Sequence, residues 1–185
     1  VLTGGSNLFS IGLDMPAFTA LDAAGQRDCA NALNSLIAEL VNYPAPVVSA
    51  SHRAALGVGF TLMLCADYRL ASNDPSSLYG LPEAAAGLAF TSGAVELMRS
   101  ALPDGAIRQL ALKGDSVTPE QLMALGVVDL LETPDDLLPA AVVAAQIMAS
   151  QPTFGRVKRQ VRGVLGARLK LLAQTGLDPF EGHLA

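Results

Sequence analysis

The strongest constraint on the fold is the stretch from residue 46 to 72, where two short apolar runs flank a glycine turn and a second apolar block. Pro46-Val47-Val48-Ser49-Ala50 is short, β-branched and bounded by prolines on one side, which fits a buried strand. Gly57-Val58-Gly59 supplies a tight turn, residues 60–65 read as a helix, and Asp67-Tyr68-Arg69-Leu70-Ala71 reads as another strand. The longest apolar stretch, residues 54–66, lies between Arg53 and Asp67; at 13 residues it falls short of the ~20 that cross a bilayer. The expectation is therefore a packed core and no membrane partner. With 51% hydrophobic and 16% charged residues, the 185-residue chain has the composition of a globular protein rather than a disordered one. A formal charge of −5 argues against electrostatic capture of nucleic acid, so any anionic ligand must be held locally.

The rest of the chain alternates in the same way. Val1-Leu2-Thr3 reads as a strand already ending at Gly4-Gly5-Ser6, so the chain is expected to begin mid-fold, and no signal-peptide pattern is visible. Apolar spacing predicts a helix over residues 20–40, broken by Pro44 and Pro46. Pro82 opens a short turn containing Glu83, and a helix over residues 93–102 stops before Pro103. Thr118-Pro119-Glu120-Gln121 has the form of a capping box, Gly126 ends that helix, and residues 127–131 form a strand. Thr133-Pro134-Asp135-Asp136 starts a further helix, bounded by Pro152, and the remainder is helical, with Val157, Val161, Val164, Leu165 and Leu172 as its apolar stripe. Cys29 and Cys65 lack CxxC spacing and read as inert buried thiols of a reducing compartment. Two histidines cannot build a metal-ligand cluster, so no metal is expected; neither a Gly-x-Ser-x-Gly elbow nor a Walker loop occurs.

Three loops carry the residues from which chemistry can be built. In Leu56-Gly57-Val58-Gly59, a turn between a strand and a buried helix leaves backbone N–H groups without partners; the spacing reads as a packing turn, with an oxyanion site as the alternative. It is a poor dinucleotide fingerprint, because Leu62 replaces the third glycine and Asp67 follows too soon. Phe9-Ser10-Ile11-Gly12-Leu13-Asp14 offers another loop N–H, and Asp14 reads as a helix-entry carboxylate rather than a catalyst. In Gly80-Leu81-Pro82-Glu83, the carboxyl group has apolar sequence neighbours that would raise its pKa towards that of a working base; the alternative is a first-turn helix carboxylate.

In this order the three loops, with Pro46 to Ser72 and with Leu112-Lys113-Gly114-Asp115 through Val127-Val128, resemble the enoyl-CoA hydratase/isomerase family, the crotonases. The most specific part is Ala55-Leu56-Gly57-Val58-Gly59 together with Cys65-Ala66-Asp67-Tyr68-Arg69-Leu70-Ala71-Ser72. The resemblance implies an α/β fold, a spiral of β-β-α units over residues 1–133, with a helical C-terminal oligomerisation region over 134–185. It also implies assembly as a homotrimer or dimer of trimers and an acyl-CoA thioester as partner; a cytoplasmic location is expected from the reducing compartment read from the thiols. Coenzyme A would enter as part of the substrate, with no further cofactor. Family members usually carry an additional N-terminal segment that this stretch is expected to lack, and the stretch alone is expected to expose sheet edges and aggregate.

By motif position, the resemblance implies backbone N–H groups of Ile11 and Val58 as oxyanion donors, Glu83 as acid/base, and Ser10, Leu13 and Thr61 around the substrate. Val58 stands where the family generally has glycine. Family hydratases use two glutamates around a water, and Thr61 occupies the position of the first, which disfavours hydration and favours a one-glutamate double-bond isomerisation. The altered pair leaves a second reading, a catalytically inactive thioester-binding or scaffold protein on the same fold. Six of the twelve basic residues fall in 156–170 and are read as a solvated face, with CoA phosphates or an acidic neighbouring subunit as the alternative. His52 is read as a hydrogen-bonded loop residue, with a place beside the acyl pocket as its alternative.

Overall fold

The computed structural model describes residues 1–5, 8–176 and 178. Ser6 of the expected glycine-rich loop and most of the chain after Gly176 lie outside the described residues. Strand β1 (Leu2–Thr3) is followed by helix α1 (Met15–Thr19), started by Asp14, whose carboxylate accepts from Ala17 N–H at 3.1 Å. Helix α2 (Ala23–Asn42) starts at Asp22, which caps Gly25 N–H at 2.8 Å, so the helix predicted over residues 20–40 forms as one helix shifted two to three residues along the chain, with α1 as a separate short helix before it. It ends at Tyr43, held extended before Pro44. Strands β2 (Val48–Ser51) and β3 (Ala54–Leu56) lead into α3 (Val58–Leu64), then β4 (Tyr68–Ser72) and β5 (Leu78–Gly80).

Helix α4 (Ser92–Ala101) is capped by Thr91. Helix α5 (Asp104–Ile107) runs into a π-turn over 108–112, followed by β6 (Ser116–Val117). The capping box forms as the sequence predicts: Thr118 and Gln121 bond each other's backbone N–H groups at the start of α6 (Pro119–Ala124). Strand β7 (Leu130–Glu132) begins later than predicted, because Val127 and Val128 sink into the core before pairing with β4 starts. Helices α7 (Leu137–Ala149) and α8 (Phe154–Thr175) close the described chain, 99° apart.

The strands form two sheets. One is parallel throughout, in the order β1-β2-β4-β7; the other has the order β3-β5-β6, with β3 and β5 parallel and β6 antiparallel. All of β2 is buried, because both faces of its sheet are covered: one by the main core around Phe60, Met63, Leu97 and Leu122, the other by Leu137 and Ala141 of α7.

Helix α8 corrects the sequence reading. Its predicted stripe faces outward at Val157, Val161 and Val164, the last two about 80% exposed, while Leu165 and Leu169 face the core against α2 and α4. Lys158 and Arg162, read from sequence as solvated, point inward. Lys158 Nζ lies 2.6 Å from the Asp67 carboxylate. Arg162 donates to the carbonyls of Cys65 and Ala66, both at 2.8 Å, where the buried carbonyls at the C-terminal end of α3 attract a cation. Asp67 also accepts from Val47 N–H, so one carboxylate ties α8 to the start of β2. Among the described residues, no single helix is long and apolar enough to cross a membrane.

Candidate active site

Two backbone segments are pressed together at the heart of the site. Ser10 lies beside β3 as a short parallel bridge, its N–H donating to Ala54 O and its carbonyl accepting from Leu56 N–H, each at 3.0 Å. A Cβ on Gly59 would stand 2.3 Å from that Ser10 carbonyl, so only glycine permits the approach. Gly12 has φ +95°, and a Cβ there would come within 3.1 Å of both Leu56 O and Val58 N. The turn at residues 57–59 is thus a packing turn, and the same packing leaves donors free. Neither Ile11 N–H nor Val58 N–H, the first amide of α3, has a hydrogen-bond acceptor among the described residues. Both residues line one cavity of about 140 Å³.

Glu83 lines the same cavity from the turn after β5. Gly57 N–H donates to Gly80 O at 3.0 Å, which joins this turn to the loop at residues 57–59. Gly57 has φ +56°, and a Cβ on it would lie 3.3 Å from Glu83 Oε1, so the glycine leaves the carboxyl its place. Glu83 Oε2 is buried with no hydrogen-bond partner among the described residues. Burial pushes the carboxyl up from 4.5 to about 7, partly offset by its own backbone N–H. A carboxyl at that value holds and releases a proton with comparable ease near neutral pH.

The remaining predicted residues divide. Leu13 and Thr61 line the cavity; Thr61 is 1% exposed and its hydroxyl donates to Gly57 O at 3.3 Å, in the manner of a helix side chain bonding back one turn. Ser10 does not line it: its hydroxyl accepts from Gly12 N–H at 3.2 Å, and its contribution is backbone contact. Asp14 is occupied as the α1 cap. His52 bonds Gly5 O at 2.8 Å, away from the cavity. Sequence reasoning missed the wall supplied by Phe18, Phe90 and the α2 residues Cys29, Ala30 and Leu33. Cys29 is half-buried at that wall rather than enclosed in the core; Cys65 is fully buried as expected. Only the helical spacing of Cys29 and Leu33 on one face of α2 hinted at this arrangement.

The sequence profile of the enoyl-CoA hydratase/isomerase family matches residues 1–175. The chain belongs to that family. Probable enoyl-CoA hydratase EchA17 of Mycobacterium tuberculosis is 33% identical over 153 residues, 82% of this chain and 58% of the relative. A counterpart from Mycobacterium avium is 31% identical, with the same coverage. The chain therefore spans just under three-fifths of the length of these relatives. Probable enoyl-CoA hydratase EchA3 of Mycobacterium tuberculosis superposes with a TM-score of 0.85 at 25% identity, over 93% of this chain and 73% of that one. Human mitochondrial delta3-delta2-enoyl-CoA isomerase shares the fold, with a TM-score of 0.81 at 24% identity over 91% of this chain and 66% of that one. The two-sheet arrangement with a closing helix is thus the crotonase fold, and of the motifs that suggested this family the three loops at Ile11–Leu13, Gly57–Val58 and Pro82–Glu83 meet at the cavity, whereas residues 65–72 and 112–128 do not line it.

Proposed function

We propose that the protein is an acyl-CoA thioester enzyme that shifts a carbon–carbon double bond using Glu83 alone. Glu83 takes a proton from the carbon next to the thioester carbonyl of a 3-enoyl thioester. The electron pair moves into the carbonyl, giving a dienolate whose oxygen accepts hydrogen bonds from Ile11 and Val58 N–H, and the proton returns two carbons further on to leave the conjugated 2-enoyl thioester. The step is redox-neutral and balanced by one proton, so coenzyme A is needed only as part of the substrate. Fixed donors matter because negative charge builds on that oxygen in an apolar site, where removing one such donor costs about 100-fold or more.

The observation that carries this reading is a single raised carboxyl, without a hydrogen-bond partner, sharing an apolar cavity with two unpartnered N–H groups. Hydration needs a water held by at least two polar partners. Thr61 is the wrong group to activate one, and its hydroxyl is turned to Gly57 O. Assembly as a homotrimer or dimer of trimers is part of the proposal, supported by exposed Val142, Val143 and Ile147 on α7 and by the outward valines of α8. A cytoplasmic setting goes with the two free thiols. The test is turnover of 3-enoyl-CoA thioesters by wild type and Glu83→Gln, with crotonyl-CoA as the hydration control. Conversion lost in Glu83→Gln is the expected result. Binding without conversion of any thioester by folded wild type would instead support the inactive binding protein, which Val58 and Thr61 at altered family positions otherwise favour.

A further inference from the structure

We infer that the cavity ends blindly against a rigid wall made by α2 and α4, and that it selects a short acyl chain of about six carbons; this rests on the thioester reading above. The size follows from volume. The cavity measures about 140 Å³, close to an apolar protein cavity of about 150 Å³ that holds one benzene molecule, hence about six carbon atoms. Its two ends differ in exposure. Among the lining residues Ile11 is 62% exposed, whereas Phe18, Ala30, Thr91 and Ala94 are buried and Cys29, Leu33 and Phe90 are half-buried, so we take the side lined by α2 and α4 as the inner end. The inner wall is also apolar in function, because Thr91 Oγ1 is engaged as the cap of α4, accepting from Ala94 N–H.

A buried polar network fixes this wall. Asn34, next to the cavity residue Leu33 and one turn beyond Ala30, accepts from Gly93 N–H at 2.9 Å through Oδ1 and donates to Asp178 Oδ2 at 3.0 Å through Nδ2. Ser92 gives Asp178 two further bonds, from N–H at 2.8 Å and from Oγ at 2.7 Å. The residue after the C-terminal turn of α8 thereby holds the start of α4 against the middle of α2. A Cβ on Gly93 would fall 2.6 Å from Asn34 Oδ1, so the two helices have no slack between them. A satisfied buried network of this kind resists displacement, and a longer chain cannot make room by parting the helices.

The experiment measures kcat/KM for 3-hexenoyl-CoA and 3-dodecenoyl-CoA, together with calorimetric binding of hexanoyl-CoA and dodecanoyl-CoA, in wild type, Leu33→Ala and the milder Leu33→Val. Misfit in a pocket costs about 10-fold or more per methylene group that cannot be accommodated. Even one methylene group left without room should therefore make wild type favour the six-carbon substrate by at least about 10-fold, and shortening Leu33 should cut the preference by about 10-fold. Comparable handling of both lengths by wild type, or a preference unmoved in both Leu33 variants, overturns the inference. Turnover without length dependence overturns it while leaving the isomerase reading intact; a length cut-off in binding without turnover does the reverse. Failure to bind either thioester overturns both.

Discussion

Replacing Glu83 by glutamine should make the protein insensitive to one component of pH destabilisation, and the size of that component follows from the burial of the carboxyl. In the unfolded chain Glu83 releases its proton near 4.5; in the folded protein it keeps it up to about 7. Between these values the folded state binds more protons than the unfolded state, so stability falls as pH rises. Below about 4.5 both states are protonated and the effect is absent; above about 7 it is complete. At about 1.4 kcal/mol per pH unit the interval corresponds to about 3 kcal/mol, and because Glu83 keeps some contact with solvent we expect about half of that. Urea unfolding of wild type and Glu83→Gln at pH 4.5, 6 and 8 isolates this contribution, since all other titrating groups are common to both. Relative to the variant, wild type should lose about 1.5 kcal/mol between pH 4.5 and 8, a midpoint shift of roughly 0.5–1 M urea. The same ionisation should appear in kcat/KM, rising with pH through about 7 as the base form is generated. A stability difference that stays constant from pH 4.5 to 8 would refute the argument that burial holds this carboxyl protonated.

Two further outcomes follow from neighbouring residues. Gly57→Ala places a side chain at φ +56° and 3.3 Å from Glu83 Oε1; backbone strain of about 1–3 kcal/mol should lower Tm by roughly 3–10 °C, and a displaced carboxyl should cost kcat about 10- to 100-fold with KM little changed, as steady-state kinetics and thermal melts would record. Burial pushes the Cys65 thiol up to about 12, against a smaller opposing effect of Arg162, so a thiol reagent at pH 8 should modify Cys29 in the native protein and Cys65 only after denaturation, which mass spectrometry of the labelled peptides would reveal.

What was legible in the sequence was the chemistry that a few adjacent residues decide among themselves. The Thr118/Gln121 box and the Asp14 cap need only their own helix turn, so their sequence spacing suffices. The turn at residues 57–59 was legible as a turn with an oxyanion site as its alternative, but its close packing was not, because that depends on Ser10 and Gly12 arriving from a distant segment and leaving no space for a side chain at Gly59. Glu83 had apolar neighbours in sequence, yet its raised value and unpartnered Oε2 come from the cavity built around it. The α2 wall was invisible for a related reason: in an amphipathic helix, a residue facing a cavity and a residue facing a filled core have the same spacing.

The C-terminal helix shows where periodicity chooses the wrong face, and its two faces give a decisive contrast. Val157, Val161 and Val164 recur at helical spacing, but Lys158, Arg162, Leu165 and Leu169 do so as well, one residue round the helix, and of the predicted stripe Leu165 belongs to this second face. Hydrophobicity favours the first set. The second faces inward because Asp67 and the carbonyls at the end of α3 supply partners for both cations, and because Gly166 lets α8 approach Asn42, whose amide donates to the Gly166 carbonyl. Leu169→Ala, at a fully buried position, should therefore cost about 2–5 kcal/mol of stability. Val161→Ser, at 78% exposure, should change the stability of a dilute protomer by no more than about 0.5 kcal/mol. Denaturant titrations of both variants at two protein concentrations separate the possibilities: a Val161→Ser loss that grows with concentration reports a contact between copies, whereas an equally large loss at every concentration would return the valine stripe to the core and refute the orientation of α8.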